Sequence, residues 1–175
     1  MNPRPAAAAA SGFVAAPWIP WKAARFPALM RVLGLDIGSK RIGIAISDAE
    51  GGIAFPAGKI ERKGRQQDLE ALVQLIRERE VERVVVGLPK HMDGREGVEA
   101  RAAREFAADL ARVAGLPVDT LDERWTTVEA ERVLRASGRR GRKRRELVDS
   151  VAASIILDTY LELRRNEQAR EEEGS

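Results

Sequence analysis

The sequence predicts an α/β domain built on a mixed five-stranded sheet with helices on both of its faces. Three short apolar runs come first, at residues 32–37, 42–46 and 53–60. The first two are rich in β-branched residues and too short for helices, so they predict strands, and the third follows a turn and indicates a strand as well. Helical patterns and apolar strands then alternate along the chain. We therefore expect an antiparallel meander of three strands, followed by two parallel strands joined through right-handed helical crossovers.

The strand predictions rest on local signals in the chain. A polar turn joins the first two strands into a hairpin, and the pair Gly51-Gly52 marks the turn before the third. Pro56 places the third strand near an edge or a bulge, because proline cannot donate a ladder hydrogen bond. The unbroken apolar run at residues 83–88 is typical of a strand buried on both faces. Residues 118–121 predict a short fifth strand.

Apolar side chains at helical spacing predict the helices. The second helix is expected to start at a capping box formed by Asp93 and Glu96, and the third at one formed by Thr126 and Glu129. The predicted helices cover residues 64–80, a segment ending at about 114, residues 126–136 and a segment after 145. This order of strands and helices is ribonuclease-H-like.

The composition is that of a globular protein. The chain has 175 residues, of which 44% are hydrophobic, enough for one domain with a sizeable core. Its 30 Lys and Arg nearly balance its 27 Asp and Glu, so the net charge of +3 by itself predicts no partner. The absence of cysteine excludes disulfides, zinc–thiolate sites and thiol catalysis. No stretch approaches the roughly 18 apolar residues of a membrane span, and we expect a cytoplasmic protein.

The two ends of the chain differ from its middle. Residues 1–29 contain an alanine run at 6–10 and scattered aromatic residues and prolines. We interpret them as a disordered leader or as a start codon assigned too early, with Met30 as the working start. We predict a ribonuclease-H-like domain at residues 30–166 and a charged, disordered tail at residues 167–175.

Three carboxylates are placed where they could meet at one edge of the sheet. Asp36 interrupts the first strand, Glu123 follows the fifth, and Asp149 lies on the apolar stripe of the last helix. Ligands of such sheets tend to bind beyond the carboxyl ends of the parallel strands. Three oxygen ligands suit Mg²⁺ or Mn²⁺, and two such ions could support phosphodiester hydrolysis. Each acid alone also has a structural explanation, such as the helix dipole for Asp149 or pairing with Arg124 for Glu123.

Cations are concentrated near the same predicted edge. Residues 138–145, here called the basic segment, hold six cations in eight positions, between Glu123 and Asp149. Such a segment would bind phosphates in a salt-dependent manner, and the alternative is a flexible linker without a partner. Other cations lie in loops at this edge. The predicted nucleic-acid-binding residues are Lys40, Arg41, Lys90, Arg124, Arg139, Arg140, Arg142, Lys143, Arg144 and Arg145.

The chain resembles the YqgF (RuvX-like) family in four successive segments, LGLDIGSKRIGIAISD, VVVGLPKHMDG, LDERWTTVEA and LVDSVAASIILDTYLE. The resemblance covers about residues 30–163. It implies a bacterial nuclease with a ribonuclease-H fold, acting in 5′-end maturation of pre-16S rRNA or in Holliday-junction resolution. It also implies that Asp36, Glu123 and Asp149 are the catalytic acids that bind the metal.

Two positions depart from the patterns of related nucleases. His91 stands where the family usually has Asn, before the MDG triplet. Gly87 stands near the end of the fourth strand, where classical junction resolvases carry an acid, so Glu123 would serve from the fifth strand instead.

Two other classes of function stay open at this stage. One is half of a sugar-kinase or actin-type ATPase, whose phosphate-gripping hairpin the segment DIGSKRIGIAISD also resembles. The chain lacks the length and the second glycine-rich motif that this class needs. The other is a non-catalytic RNA-binding assembly factor, against which the three acids argue. A homodimer is compatible with the sequence.

Overall fold

The structure is a computed structural model that describes residues 30–91, 93–125 and 142–174, without the side chains of residues 125 and 142–148. The strands are β1 (Val32–Ile37), β2 (Arg41–Ser47), β3 (Ala54–Glu61), β4 (Arg83–Leu88) and β5 (Val118–Asp122). The helices are α1 (Arg65–Glu78), α2 (Val98–Ala114) and α3 (Arg142–Glu173), and a 3-10 turn covers Glu123–Trp125. None of the helices in these parts of the chain is both long and apolar enough to cross a membrane.

The five strands form one sheet in the order β3-β2-β1-β4-β5. The pairs β1–β2 and β2–β3 are antiparallel, whereas β1–β4 and β4–β5 are parallel. The predicted mixed sheet is therefore confirmed. Pro56 lies on the edge strand β3, next to the bulge where the register with β2 shifts between Ile44 and Ala45. Both the edge and the bulge predicted from this proline are therefore present.

Each face of the sheet has its own apolar core. Alternate side chains of β1 point to opposite faces, as in any strand. Leu33 and Leu35 belong to the core beneath α1 and α2, whereas Val32 belongs to the core beneath α3. A Cβ on Gly34 would lie 2.8 Å from the Cβ of Leu157, so α3 packs directly on the middle of β1. This close packing fixes where the first turns of α3 lie over the sheet.

The predicted capping box at the start of α2 is wrong. The helix begins at Val98, and no side chain caps it. Asp93 accepts hydrogen bonds from the backbone N–H (3.0 Å) and Nε (2.6 Å) of Arg95 instead. Glu96 lies in a short antiparallel bridge with Lys90. The loop between β4 and α2 therefore folds back on itself before the helix starts, which takes both acids away from the helix end.

The last helix is longer than the sequence pattern indicates. Its first residues are Arg142–Arg145, so half of the basic segment is helical rather than a loop. It continues to Glu173, whereas residues 167–175 are predicted to be disordered. Arg164 is buried, with its guanidinium 5.9 Å from the ring of Tyr160, which anchors the helix late in its course. The residues that follow are mostly Glu, Arg, Gln and Ala, which are good helix formers even when exposed.

Several predictions concern segments outside the described residues. These are the leader at residues 1–29, the helix at 126–136, and the cations Arg139 and Arg140.

Candidate active site

Asp36 lies near the carboxyl end of β1, between two glycines on neighbouring strands. Gly43 is its partner in β2. On the other side, Leu35 pairs with Val86 in the parallel β4, which brings Gly87 beside Asp36. Residues side by side in a sheet point to the same face. The glycines therefore leave space on both sides of the Asp36 carboxylate, on the face that α3 covers.

The other two predicted acids fill the space above these glycines. A Cβ on Gly43 would overlap the backbone oxygen of Asp149, so the start of α3 rests on this glycine. A Cβ on Gly87 would lie 2.5 Å from Oε1 of Glu123. Glu123, in the turn after β5, thus places its carboxylate where a residue-87 side chain would otherwise stand. The structure brings all three predicted acids to one edge of the sheet.

The acids influence each other electrostatically. Burial raises the pKa of Asp36 to about 6, with a further contribution from the carboxylate of Asp149. Burial also raises the pKa of Glu123 to about 7, and the carboxylate of Asp36 adds to this, followed by Asp122 and Glu99. Desolvation and like charges both disfavour an ionised carboxylate. Asp36 and Glu123 therefore hold their protons to a higher pH than an ordinary carboxyl group does.

Asp149 has one carboxylate oxygen without a hydrogen bond. Its side chain is 29% exposed, yet Oδ2 is buried and accepts no hydrogen bond within the described structure. The Nη1 of Arg41 lies 3.5 Å from this oxygen, as an ion pair. The Nε of the same guanidinium lies 3.1 Å from Oε1 of Glu61.

The chemistry of these residues fits a divalent cation. Within the described residues, no three His, Cys, Asp or Glu side chains already form a group that could hold a metal ion. The donors nevertheless suit Mg²⁺ or Mn²⁺, because they are carboxylate oxygens and one of them, Oδ2 of Asp149, is buried without a hydrogen bond. Repulsion among neighbouring carboxylates favours their separation when no cation is bound.

Four of the predicted nucleic-acid-binding cations have described side chains at this edge. Lys40 is exposed in the turn between β1 and β2, next to Arg41. The Nζ of Lys90 lies 3.5 Å from Glu96 and 3.8 Å from Asp122. Arg124 donates hydrogen bonds from Nε and Nη2 to Asp122, and Nη2 lies 2.7 Å from Oδ2. Lys40 thus presents its charge to solvent more freely than the other three, since Arg41 lies between Glu61 and Asp149. For Arg142, Lys143, Arg144 and Arg145 the structure describes the backbone only.

Sequence reasoning missed the residues that support this edge. Glu61 pairs with Arg41 because the two residues lie opposite each other in β3 and β2. A register count from the turn would have missed the pair, since the shift between Ile44 and Ala45 moves the pairing by one residue. Arg62 binds the fully buried Asp68 (Nε to Oδ2, 3.0 Å) and donates from Nη1 to the carbonyl of Gly38 (2.9 Å). This pair braces the turn that follows Asp36. No sequence signal marks it, since Asp68 resembles an ordinary acid at a helix start.

The sheet order, with three antiparallel strands followed by two parallel strands, defines a ribonuclease-H-like fold. Two solved structures share this fold. They are T. thermophilus RuvC in complex with a Holliday junction substrate and the yeast mitochondrial Holliday junction resolvase Ydc2. The first has a TM-score of 0.52 at 16% identity and covers 77% of this chain and 96% of its own. The second has a TM-score of 0.50 at 12% identity and covers 85% of this chain and 84% of its own.

The chain belongs to the family described as "RuvX: Holliday junction resolvase", whose model matches residues 30–163. A relative from Chloroflexus aggregans, described as "Putative pre-16S rRNA nuclease", is 47% identical over 135 residues, which are 77% of this chain and 95% of the relative. A relative from Moorella thermoacetica with the same description is 47% identical over 133 residues, which are 76% of this chain and 95% of the relative. The resemblance inferred from the four sequence segments is confirmed.

Proposed function

We propose that this protein is a divalent-metal-dependent nuclease that hydrolyses phosphodiester bonds in structured nucleic acid, and that it matures the 5′ end of pre-16S rRNA. The observation that carries the proposal is the meeting of Asp36, Glu123 and Asp149 at one edge of the sheet, where burial and neighbouring carboxylates raise the pKa of Asp36 to about 6 and that of Glu123 to about 7. Membership of the RuvX family and the description of relatives that are 47% identical support the same activity. This role would place the protein in the cytoplasm.

Asp36, Glu123 and Asp149 would hold the metal. When bound, Mg²⁺ or Mn²⁺ ions activate water and stabilise the charge on the leaving oxygen. Asp36 is the central ligand in this assignment, because its neighbours on both sides are glycines and the other two acids converge on it. Glu123 has a pKa of about 7, raised first by burial and then by Asp36, so it would release a proton when a cation binds near neutral pH.

The cations at the same edge would hold the substrate. Lys40 and Arg41 lie in the turn and strand that follow Asp36, and the basic segment leads into the helix that carries Asp149. Contacts from such side chains to phosphates give affinity without sequence preference, and this affinity weakens with salt. Recognition by shape and backbone charge suits folded RNA and branched DNA alike.

A second candidate function is cleavage of branched DNA. The description of the matching family favours it, because that description names a Holliday junction resolvase. The three acids would serve both reactions equally well. The substrate therefore separates the two candidates.

The deciding experiment compares substrates side by side. Purified protein with Mn²⁺ is incubated with labelled single-stranded RNA, duplex DNA, a four-way junction and a pre-16S rRNA 5′ fragment. We expect cleavage of the rRNA fragment, and loss of that cleavage in Asp36→Asn with binding retained. Glu50→Gln is the matched control, because Glu50 is exposed in the turn between β2 and β3. Cleavage of the junction alone would favour the resolvase function, and undiminished cleavage by Asp36→Asn would refute the site.

The contribution of the basic segment is tested separately. Replacing Arg142, Lys143, Arg144 and Arg145 by Ala should weaken nucleic-acid binding and lower the slope of log affinity against log salt. If neither the affinity nor the slope changes, the basic segment does not bind the substrate. Binding by wild-type protein without cleavage of any substrate would favour the non-catalytic assembly factor.

A further inference from the structure

Arg41 occupies a position between an acid of the candidate site and an acid outside it. It is the first residue of β2 and lies directly opposite Glu61, the last residue of β3. Its Nε lies 3.1 Å from Oε1 of Glu61, and the Nζ of Lys59 lies 3.3 Å from the same oxygen. Glu61 therefore binds the guanidinium at Nε, and the Nη groups are left for other partners.

The Nη end of the guanidinium reaches Asp149. Nη1 lies 3.5 Å from Oδ2, and this oxygen accepts no hydrogen bond within the described structure. The contact is therefore an ion pair without hydrogen-bond geometry. Although Oδ2 itself is buried, the Arg41 side chain is 37% exposed and its contact with Oδ2 is not a hydrogen bond, so the ion pair is weak. The contact partly neutralises Asp149 and can be broken easily.

We propose that Arg41 is an exchangeable counter-ion of the active site, tethered by Glu61. It neutralises Asp149 when no metal is bound, leaves that carboxylate to an incoming divalent cation, and then contacts a phosphate of the substrate. The inference rests on the proposed function, because it requires Asp149 to be a metal ligand. It adds the order of events at this carboxylate and gives Glu61, which is not an acid of the site itself, a positioning role.

The first test measures Mn²⁺ affinity by calorimetry in the absence of nucleic acid. Arg41→Gln removes the competing cation and should tighten Mn²⁺ binding about two- to fivefold, the range expected for a weak ion pair. Glu61→Gln frees the guanidinium to remain on Asp149 and should weaken Mn²⁺ binding. The control is Arg112→Gln, which makes the same charge change at an exposed residue in the last turn of α2. This control should leave the Mn²⁺ affinity unchanged.

A double mutant separates the tether from simple surface charge. If Glu61 acts through Arg41, Glu61→Gln should have no effect on Mn²⁺ affinity in the Arg41→Gln background. If the two residues act as independent charges, their effects add, and the proposal fails. Thermal unfolding in EDTA, compared among the variants, shows whether each protein is folded before its affinity is interpreted.

The second test measures binding to the rRNA fragment as a function of salt, with EDTA or with Ca²⁺. Arg41 is engaged by Asp149 in EDTA and released when the divalent ion is present. Arg41→Gln should therefore reduce the salt slope by about one phosphate contact in Ca²⁺ and by much less in EDTA. An equal reduction in both conditions would show that Arg41 is a constitutive phosphate contact and would refute the exchange.

Failure of this inference can be distinguished from failure of the proposed function. If Asp36→Asn binds Mn²⁺ as tightly as the wild-type protein, the metal site is wrong, and the inference falls with it. If Asp36→Asn loses Mn²⁺ binding while Arg41→Gln leaves it unchanged or weakens it, the metal site stands and only the exchange is refuted.

Discussion

The carboxylate of Asp36 should destabilise the metal-free protein at neutral pH. Burial, together with the charge of Asp149, raises its pKa from 3.8 to about 6. The folded protein therefore binds a proton at this residue more tightly than the unfolded chain does. Linkage then requires the free energy of unfolding to fall as the pH rises from about 4 to about 6, and to stay lower above that range. A shift of about two pKa units corresponds to about 3 kcal/mol.

Replacing Asp36 by Asn removes this penalty and keeps the shape of the side chain. In EDTA at pH 8, we expect Asp36→Asn to be more stable than the wild-type protein by up to about 3 kcal/mol, because the amide carries no charge to desolvate. Such a gain would raise the Tm by about 6–12 °C in a domain of this size. The difference should shrink towards pH 4, where the wild-type carboxyl is protonated. Urea and thermal unfolding, followed by circular dichroism at pH 4 and pH 8, measure both quantities.

The same comparison has a control and a clear refutation. Glu50→Gln removes a carboxylate from an exposed turn and should change neither stability nor its pH dependence. Adding Mg²⁺ at pH 8 should stabilise the wild-type protein but not Asp36→Asn, since only a ligand of the folded state stabilises it. If Asp36→Asn is equally or less stable than the wild type in EDTA at pH 8, ionised Asp36 does not destabilise the fold, and the raised pKa assigned to Asp36 is wrong.

Three further outcomes are expected. Asp68→Ala should lower the free energy of unfolding by about 2–4 kcal/mol in urea titrations, because it leaves Arg62 without its buried partner; a loss below about 1 kcal/mol would contradict this. Gly87→Ala should displace the Glu123 carboxylate, which lies 2.5 Å from the position of the new Cβ, and should lower kcat strongly. The control Gly52→Ala, whose new Cβ would have ordinary contacts at 3.5 Å, should not lower kcat, and equal activity of the two variants would refute the role of Gly87. Mn²⁺ affinity should rise from pH 6 to pH 8 as Glu123, with its pKa of about 7, loses its proton, and a flat calorimetric profile would exclude that proton release.

Much of the fold could be predicted because its signals are local. Both Val32–Ile37 and Arg83–Leu88 match their predicted strands residue for residue, since each is an apolar run bounded by polar residues. Pro56 indicated an edge strand through its missing N–H alone. The start of α2 could not be predicted in this way. Asp93 and Glu96 have the spacing of a capping box, but contacts within the loop compete for both side chains.

The sequence indicated which acids to consider for the candidate site, but not how far apart they lie or which residues surround them. Asp36, Glu123 and Asp149 attract notice because carboxylates are unusual in or beside apolar segments. Their mutual distances could not be predicted, since they depend on how α3 packs across the sheet. The roles of Gly43 and Gly87 in making space for two of these acids became visible only in the structure.

The sequence by itself determined the order of the five strands, the helices α1, α2 and α3 between and after them, and the membership of the family, and it named three acids as candidates for the site. These follow from residue patterns that are contained in short, continuous segments of the chain. Only the tertiary structure decided that Glu123 lies over Gly87 and that Arg41 stands between Glu61 and Asp149. Charges that are far apart along the chain affect each other only after packing has brought them together and removed the water between them.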